Sequence, residues 1–119
     1  MSSHRAVVEA YFEGFRRSDH DGILACLTDG VVWDLPGFKH LVGKDQFDGE
    51  IENEEFAGSP TLTVDRMVEE GDTVVAIGTG AGTRTSGEVH RFAYCDVFTF
   101  AGDKIDRVES YLVPLTQLD

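Results

Sequence analysis

Over residues 5–17 the apolar side chains Val8, Tyr11, Phe12 and Phe15 recur at helical spacing, which predicts an amphipathic helix with one packed face. Ser18 followed by Asp21 resembles a capping box, and Asp19 adds negative charge where a helix start favours it. A second helix is therefore expected through Ile23, Leu24 and Leu27, ended by Asp29-Gly30. Val31-Val32-Trp33-Asp34-Leu35 is β-branched and aromatic and runs into Pro36-Gly37, the composition of a strand entering a turn. A short extended piece over 38–42 is expected next. After Gly43 a third helix is predicted over 44–56, where Phe47 and Ile51 share a face with Glu50 and Glu54 close beside them, and Gly58-Ser59-Pro60 is expected to close it.

Beyond Pro60 the period changes from 3.6 to alternation, punctuated by Glu70-Gly71-Asp72, Ser86-Gly87 and Ala101-Gly102-Asp103. Four antiparallel strands are predicted, near 61–69, 73–84, 88–100 and 104–113. Helices, a short strand, a helix and then a meander make a single α+β domain over 1–119, with a curved sheet wrapped around three helices. Gly78-Thr79-Gly80-Ala81-Gly82 has the look of a phosphate loop, but strand rather than helix follows it, so it reads as a strand of small residues whose glycines permit curvature.

Charge narrows the function. Among 119 residues, 22 Asp and Glu face 10 Lys and Arg, a net charge of −12, which argues against a nucleic-acid partner because a phosphate backbone needs a basic face. No apolar run approaches the roughly 20 residues of a membrane helix, and no signal segment opens the chain, so a cytoplasmic protein without a membrane partner is expected. Cys26 and Cys95 read as two buried free thiols. His4, His20, His40 and His90 show no metal-ligand spacing, so no metal and no cofactor are expected; His40 reads as a surface residue near a pocket mouth.

The order Tyr11, then Ser18-Asp19-His20-Asp21-Gly22-Ile23, Val32-Trp33-Asp34-Leu35-Pro36, Gly43-Lys44, and Asp96-Val97-Phe98 before Gly102-Asp103-Lys104-Ile105 resembles the ketosteroid-isomerase-like, or SnoaL-like, proteins of the nuclear transport factor 2 (NTF2-like) superfamily. The resemblance implies a cone-shaped α+β barrel with three N-terminal helices in the concave face of a mixed, mostly antiparallel sheet, and a pocket between them. It also implies a tyrosine and a protonated aspartic acid that both donate to a substrate oxyanion, positions matched by Tyr11 and Asp96. The polyketide-cyclase branch of the same family implies a single acid-base aspartate, again Asp96. The carboxylate that shuttles the proton in steroid isomerases falls on Leu35, and Asp34, one residue earlier, should face away by strand alternation.

Each candidate has two readings. Asp96 lies in an otherwise apolar and aromatic strand, either satisfying its own burial through hydrogen bonds or acting as an acid of raised pKa. Tyr11 is a core residue or an oxyanion donor. Glu50 belongs to a solvated acidic face or supplies the missing base from another wall, with Glu54 beside it. By the inward parity that the resemblance implies, Phe15, Trp33, Leu35, Ile51, Ile77, Tyr94 and Leu112 line the pocket, which then suits a small hydrophobic molecule bearing one or two oxygens. Epoxide hydrolases of this fold place an arginine where Tyr94 stands, which disfavours that activity. A homodimer is expected through the outer sheet face, where Ile105, Arg107, Tyr111 and Val113 alternate and Glu109 also points outward. Two functions remain open: an acid-base isomerase, cyclase or dehydratase acting on a hydrophobic carbonyl compound, or a non-catalytic ligand-binding or dimeric adaptor domain that has lost the base.

Overall fold

The computed structural model describes residues 3–51 and 56–115. Helix α1, His4–Arg17, begins where the Ser3 side chain accepts the backbone N–H of Ala6, and it buries Val8, Tyr11 and Phe12, the predicted stripe. Ser18 ends it in a left-handed conformation with φ 51°. The expected capping box is therefore displaced by one residue: Asp19, not Ser18, caps α2, His20–Leu24, by accepting the Gly22 N–H. The second helix is also shorter than expected. Leu27 opens strand β1, Leu27–Leu35, because it pairs with Ile105 far along the chain, and Asp29-Gly30 lies inside that strand at a register shift. Long-range pairing has overridden a local helical pattern.

Strand β2, Lys39–Val42, returns antiparallel on β1, and α3, Lys44–Ile51, turns Phe47 and Ile51 into the core. Residues 52–55 of the predicted helix, Glu54 included, lie outside the described residues, and Phe56, its expected last residue, instead opens the next strand. Gly58-Ser59-Pro60 does not act as a stop: it falls within β3, Phe56–Glu70, at a register shift between Ala57 and Thr61. Such an irregularity accommodates a proline on an edge strand. Strands β4, Thr73–Arg84, β5, Val89–Ala101, and β6, Lys104–Pro114, complete the meander as predicted.

Among the described residues the strands form one six-stranded sheet in the order β2-β1-β6-β5-β4-β3. The β1–β6 pair is parallel and the remaining neighbours are antiparallel. The sheet is curved but unclosed, so the cone is a partial wrap rather than a full barrel. The helices lie in its hollow, where Val8, Tyr11, Phe12 and Phe47 meet Val74, Ala76, Phe98 and Val108. Helix α1 runs along β3, where Arg16 Nε donates to the Leu62 carbonyl at 2.9 Å and Arg5 donates to that of Met67 at 3.4 Å.

Two features of the sheet correct the expected parity. Ile105 pairs with Phe100 and Arg107 with Thr99, so Asp106 is an extra residue in β6, and beyond this bulge the side chains change faces. Ile105 is consequently fully buried rather than on the outer face, which is left to Arg107, Glu109, Tyr111 and Val113. On β4, Ala76 and Gly78 stand opposite Asp96 and Tyr94, and Ile77 stands opposite Cys95. Ile77 therefore faces away from the hollow. The inner face of β4 needs small residues because aromatic rings from β5 lie across it: a Cβ on Gly78 would come within 1.9 Å of the Thr63 carbonyl oxygen and 2.7 Å of the Tyr94 hydroxyl, and one on Gly80 within 2.6 Å of the Phe92 ring. Neither Cys26, which is buried, nor half-buried Cys95 is in a disulfide.

Gly78→Ala is expected to lower unfolding stability by about 2–4 kcal/mol, through overpacking and loss of the Tyr94 hydrogen bond. Gly30→Ala, at a strand position with nothing within 4 Å of the added carbon, is expected to change it by less than about 1 kcal/mol. Urea titration of both variants checks this, and equal stabilities would refute the role given to Gly78.

Candidate functional site

Alternation along three neighbouring strands carries the site. On β5, Phe92, Tyr94 and Asp96 point into the hollow; on β6, Ser110 and Leu112 do; on β1, Trp33 and Leu35 do. Helix α1 closes the space with Tyr11, Phe12 and Phe15, and α3 contributes Ile51. Together with Pro60 and Leu62 they line a cavity of about 170 Å³ that opens on one side to solvent. Leu112, still 41% exposed, stands at the mouth.

The walls are aromatic. Tyr11 contacts the rings of Phe12, Phe15, Phe47 and Phe98 at centroid distances of 5.0–6.2 Å. Trp33 stacks on Phe47 at 4.4 Å and meets Phe15 edge-on at 6.0 Å. No lysine, arginine or histidine is among the residues described as lining this space.

Asp96 is thus a carboxyl group in a nearly dry aromatic setting. It is 8% exposed, and its Oδ1 has no hydrogen-bond partner. Burial penalises its charged form and pushes its pKa up to about 7, while the Ser110 side chain works in the other direction. Ser110 sits directly across the β5–β6 ladder from Asp96, and its Oγ accepts the indole N–H of Trp33 at 3.0 Å. The Tyr11 phenol is held well above its ordinary value, first by burial and then by the charge of Asp96 and the Cys26 thiol. The Tyr11 phenol therefore keeps its proton near neutral pH. No hydrogen bond joins it to Asp96, so the phenol and the carboxyl share the cavity without consuming each other. The Tyr94 hydroxyl is committed elsewhere, donating to the Thr63 carbonyl at 2.9 Å, and its pKa is raised to about 12 by burial and the Asp96 charge.

The structure thus brings together Tyr11, Phe15, Trp33, Leu35, Ile51, Tyr94, Asp96 and Leu112 as the sequence led one to expect. It does not bring Glu50 or Ile77 to the cavity. Glu50 turns toward β2 and pairs with Lys39 at 2.6 Å, one side of α3 being reserved for Phe47 and Ile51. Asp34 also points outward, held by Arg107 at 3.0 Å, with His40 at 3.7 Å on the exposed side. Ser110 and Phe92 were missed in the sequence although a signal was present: each lies two residues before a position read as inward, Leu112 and Tyr94 respectively. Among the described residues no group of three His, Cys, Asp or Glu side chains is arranged to hold a metal, and no helix is long and apolar enough to cross a membrane.

No curated protein matches the sequence. Among solved structures, the chain is similar to an NTF2-like protein of unknown function from Burkholderia pseudomallei K96243, with 24% identity and a TM-score of 0.86 over 95% of this chain and 92% of that one. It is similar to an LEH-like epoxide hydrolase of M. tuberculosis, with 21% identity and a TM-score of 0.82 over 92% and 82% of the two chains. It also resembles a ketosteroid isomerase-like protein of Kribbella flavida DSM 17836, with 19% identity and a TM-score of 0.76 over 98% and 82%. At such identities these likenesses speak for the fold. The structural neighbours share the NTF2-like fold, and the SnoaL-like domain model matches residues 8–108, nearly all of the helices and sheet that build the cavity, so the chain belongs to this SnoaL-like family.

Proposed function

We propose that this protein binds a small apolar carbonyl compound, about one ring in size, and moves a proton on it with Asp96 while Tyr11 donates to the carbonyl oxygen. The observation that carries the reading is the burial of Asp96 in an aromatic cavity with no cation among the described lining residues, burial that pushes its pKa up to about 7. A proton-transfer group works best when its pKa lies near the working pH, because both of its forms are then populated. As carboxylate, Asp96 takes a proton from a carbon beside the carbonyl, and the electron pair of that C–H bond moves onto the carbonyl oxygen. Tyr11 hydrogen-bonds the resulting enolate oxygen. As carboxylic acid, Asp96 returns the same proton to another carbon of the conjugated system, so one C–H bond breaks, one forms, and no oxidation occurs.

The size of the ligand follows from the cavity. An apolar cavity of roughly 150 Å³ takes up benzene, so a space of about 170 Å³ suits a single ring. Epoxide opening by an acid–arginine pair finds no support, since no arginine is among the described residues that line the cavity. One observation favours a second reading, binding without turnover: the wall position that the resemblance reserves for a proton-shuttling carboxylate is Leu35, while Asp34 and Glu50 face away from the cavity.

Hydrogen–deuterium exchange separates the two. Wild-type protein in D₂O is expected to speed deuterium incorporation beside the carbonyl of 2-cyclohexenone by about 10²–10⁴-fold over buffer, the usual worth of a positioned acid-base group. Asp96→Asn should reduce the rate to that of buffer, and Tyr11→Phe should lower it about tenfold. Binding of the ketone by the wild-type protein with exchange at the buffer rate selects the second reading, and failure to bind it overturns both.

Stability should report the same acid. The folded-state pKa of Asp96 is raised, so its protonated form stabilises the fold fully below the unfolded value of 3.8, and that contribution is lost as pH rises toward about 7. Asp96→Asn is expected to equal wild type near pH 4 and to exceed it by about 2–4 kcal/mol at pH 8. Urea denaturation at the two pH values checks this; a variant no more stable at pH 8 than at pH 4, relative to wild type, would contradict the assigned burial.

A further inference from the structure

We propose that Ser110, held by the indole of Trp33, is a positioning residue that aims a hydroxyl proton at Asp96 and so sets the balance between the two forms of that acid. This rests on the reading of Asp96 as the proton-transfer group. A serine hydroxyl carries one proton and two acceptor lone pairs. The indole N–H of Trp33 fills one lone pair of Ser110 Oγ at 3.0 Å, which turns the hydroxyl proton away from the indole. The strand register places Ser110 directly opposite Asp96, and the Ser110 side chain is a hydrogen-bond partner of that carboxyl group. Ser110 is itself only 5% exposed, which leaves little room for water to compete.

The direction of the indole is fixed in turn. Its ring stacks on Phe47 with an interplanar angle of 27° and is braced edge-on by Phe15, so Trp33 does not rotate freely while donating. A donor to a carboxylate favours the charged form, opposing the burial that favours the neutral one. The Trp33–Ser110 pair thus keeps Asp96 from becoming a permanently protonated acid and leaves both forms accessible near neutral pH. Because Trp33 also lines the cavity, a ligand that displaces its ring changes the acid it touches.

Trp33 is the sole tryptophan of the chain, so its fluorescence reads this linkage directly. The groups around Asp96 are Tyr11 from α1, Trp33 from β1, Ala76 from β4, Tyr94 from its own strand and Ser110 from β6. Both phenols ionise far above neutrality. His40, on β2, faces Asp34 on the outer side of the sheet, away from the cavity.

The test combines a carbon-13 NMR titration of the Asp96 carboxyl with a pH titration of Trp33 fluorescence, using the ligand-free protein. Wild type should show matching midpoints near pH 7. Ser110→Ala should raise the carboxyl midpoint by about one pH unit and weaken the fluorescence transition. Trp33→Phe, read by NMR, should raise it by less, because Ser110 keeps its hydroxyl but loses its orientation. Asp96→Asn should abolish the fluorescence transition, which assigns it to this carboxyl. An unchanged midpoint in both Ser110→Ala and Trp33→Phe overturns the positioning role while leaving Asp96 as the acid. A wild-type midpoint near 4 overturns the reading of Asp96 itself, and the positioning role with it.

Discussion

A carboxyl group surrounded by aromatic rings, with no cation beside it, is the constraint around which this molecule is organised. Removing an isolated charge from water costs far more than a hydrogen bond or two can return. Asp96 therefore shares its surroundings with neutral donors, the Tyr11 phenol and the Ser110 hydroxyl, and its pKa rises toward neutrality. The same desolvation that costs stability is what the proposed acid-base role draws on, since an ordinary carboxyl would be fully ionised at pH 7 and a poor acid. Positive charge is kept on other surfaces: Arg16 donates to β3, Arg107 holds Asp34 on the outer face, and Lys39 holds Glu50.

That setting depends on the sheet remaining open and on one strand being thin. Aromatic side chains of β5 reach across β4, and Gly78 and Gly80 provide the space in which the Tyr94 and Phe92 rings lie. Tyr94 in turn anchors to the Thr63 carbonyl of β3, tying the edge of the sheet to the floor of the cavity. Helix α1 then closes over the hollow through Tyr11, whose contacts with four phenylalanine rings lock its hydroxyl in place. Packing and chemistry are served by the same side chains, which is how a chain of 119 residues builds both a core and a site.

Membership of the SnoaL-like family accounts for the architecture but not for the chemistry, because one fold hosts many activities. What distinguishes this chain is its particular combination of side chains. It has a buried tyrosine and a buried acid in one cavity, an apolar residue at Leu35, no arginine among the described lining residues, and a tryptophan–serine pair behind the acid. These features favour proton transfer by a single group on a compact ligand, or its capture, over chemistry that needs two opposed carboxylates.

The sequence by itself determined the succession of elements, because apolar spacing and turn residues are local properties: α1, the entry into β1, and the four strands of the meander stand close to where periodicity put them. Two-residue alternation, together with the family resemblance, also sufficed to aim Trp33, Leu35, Tyr94 and Asp96 inward and Asp34 outward. Tertiary structure alone decided the rest. Leu27 became a strand residue because it met Ile105; Ile105 left the outer face because a bulge at Asp106 reversed the alternation; Ile77 yielded the inner face to Ala76 and Gly78 because rings from the next strand needed the room. Glu50 was drawn to Lys39, and Ser110 found Asp96 and Trp33 through pairings across the sheet. Local patterning states which faces of an element are apolar, whereas register, bulges and side-chain partners are set by hydrogen bonding and packing between segments far apart in the chain.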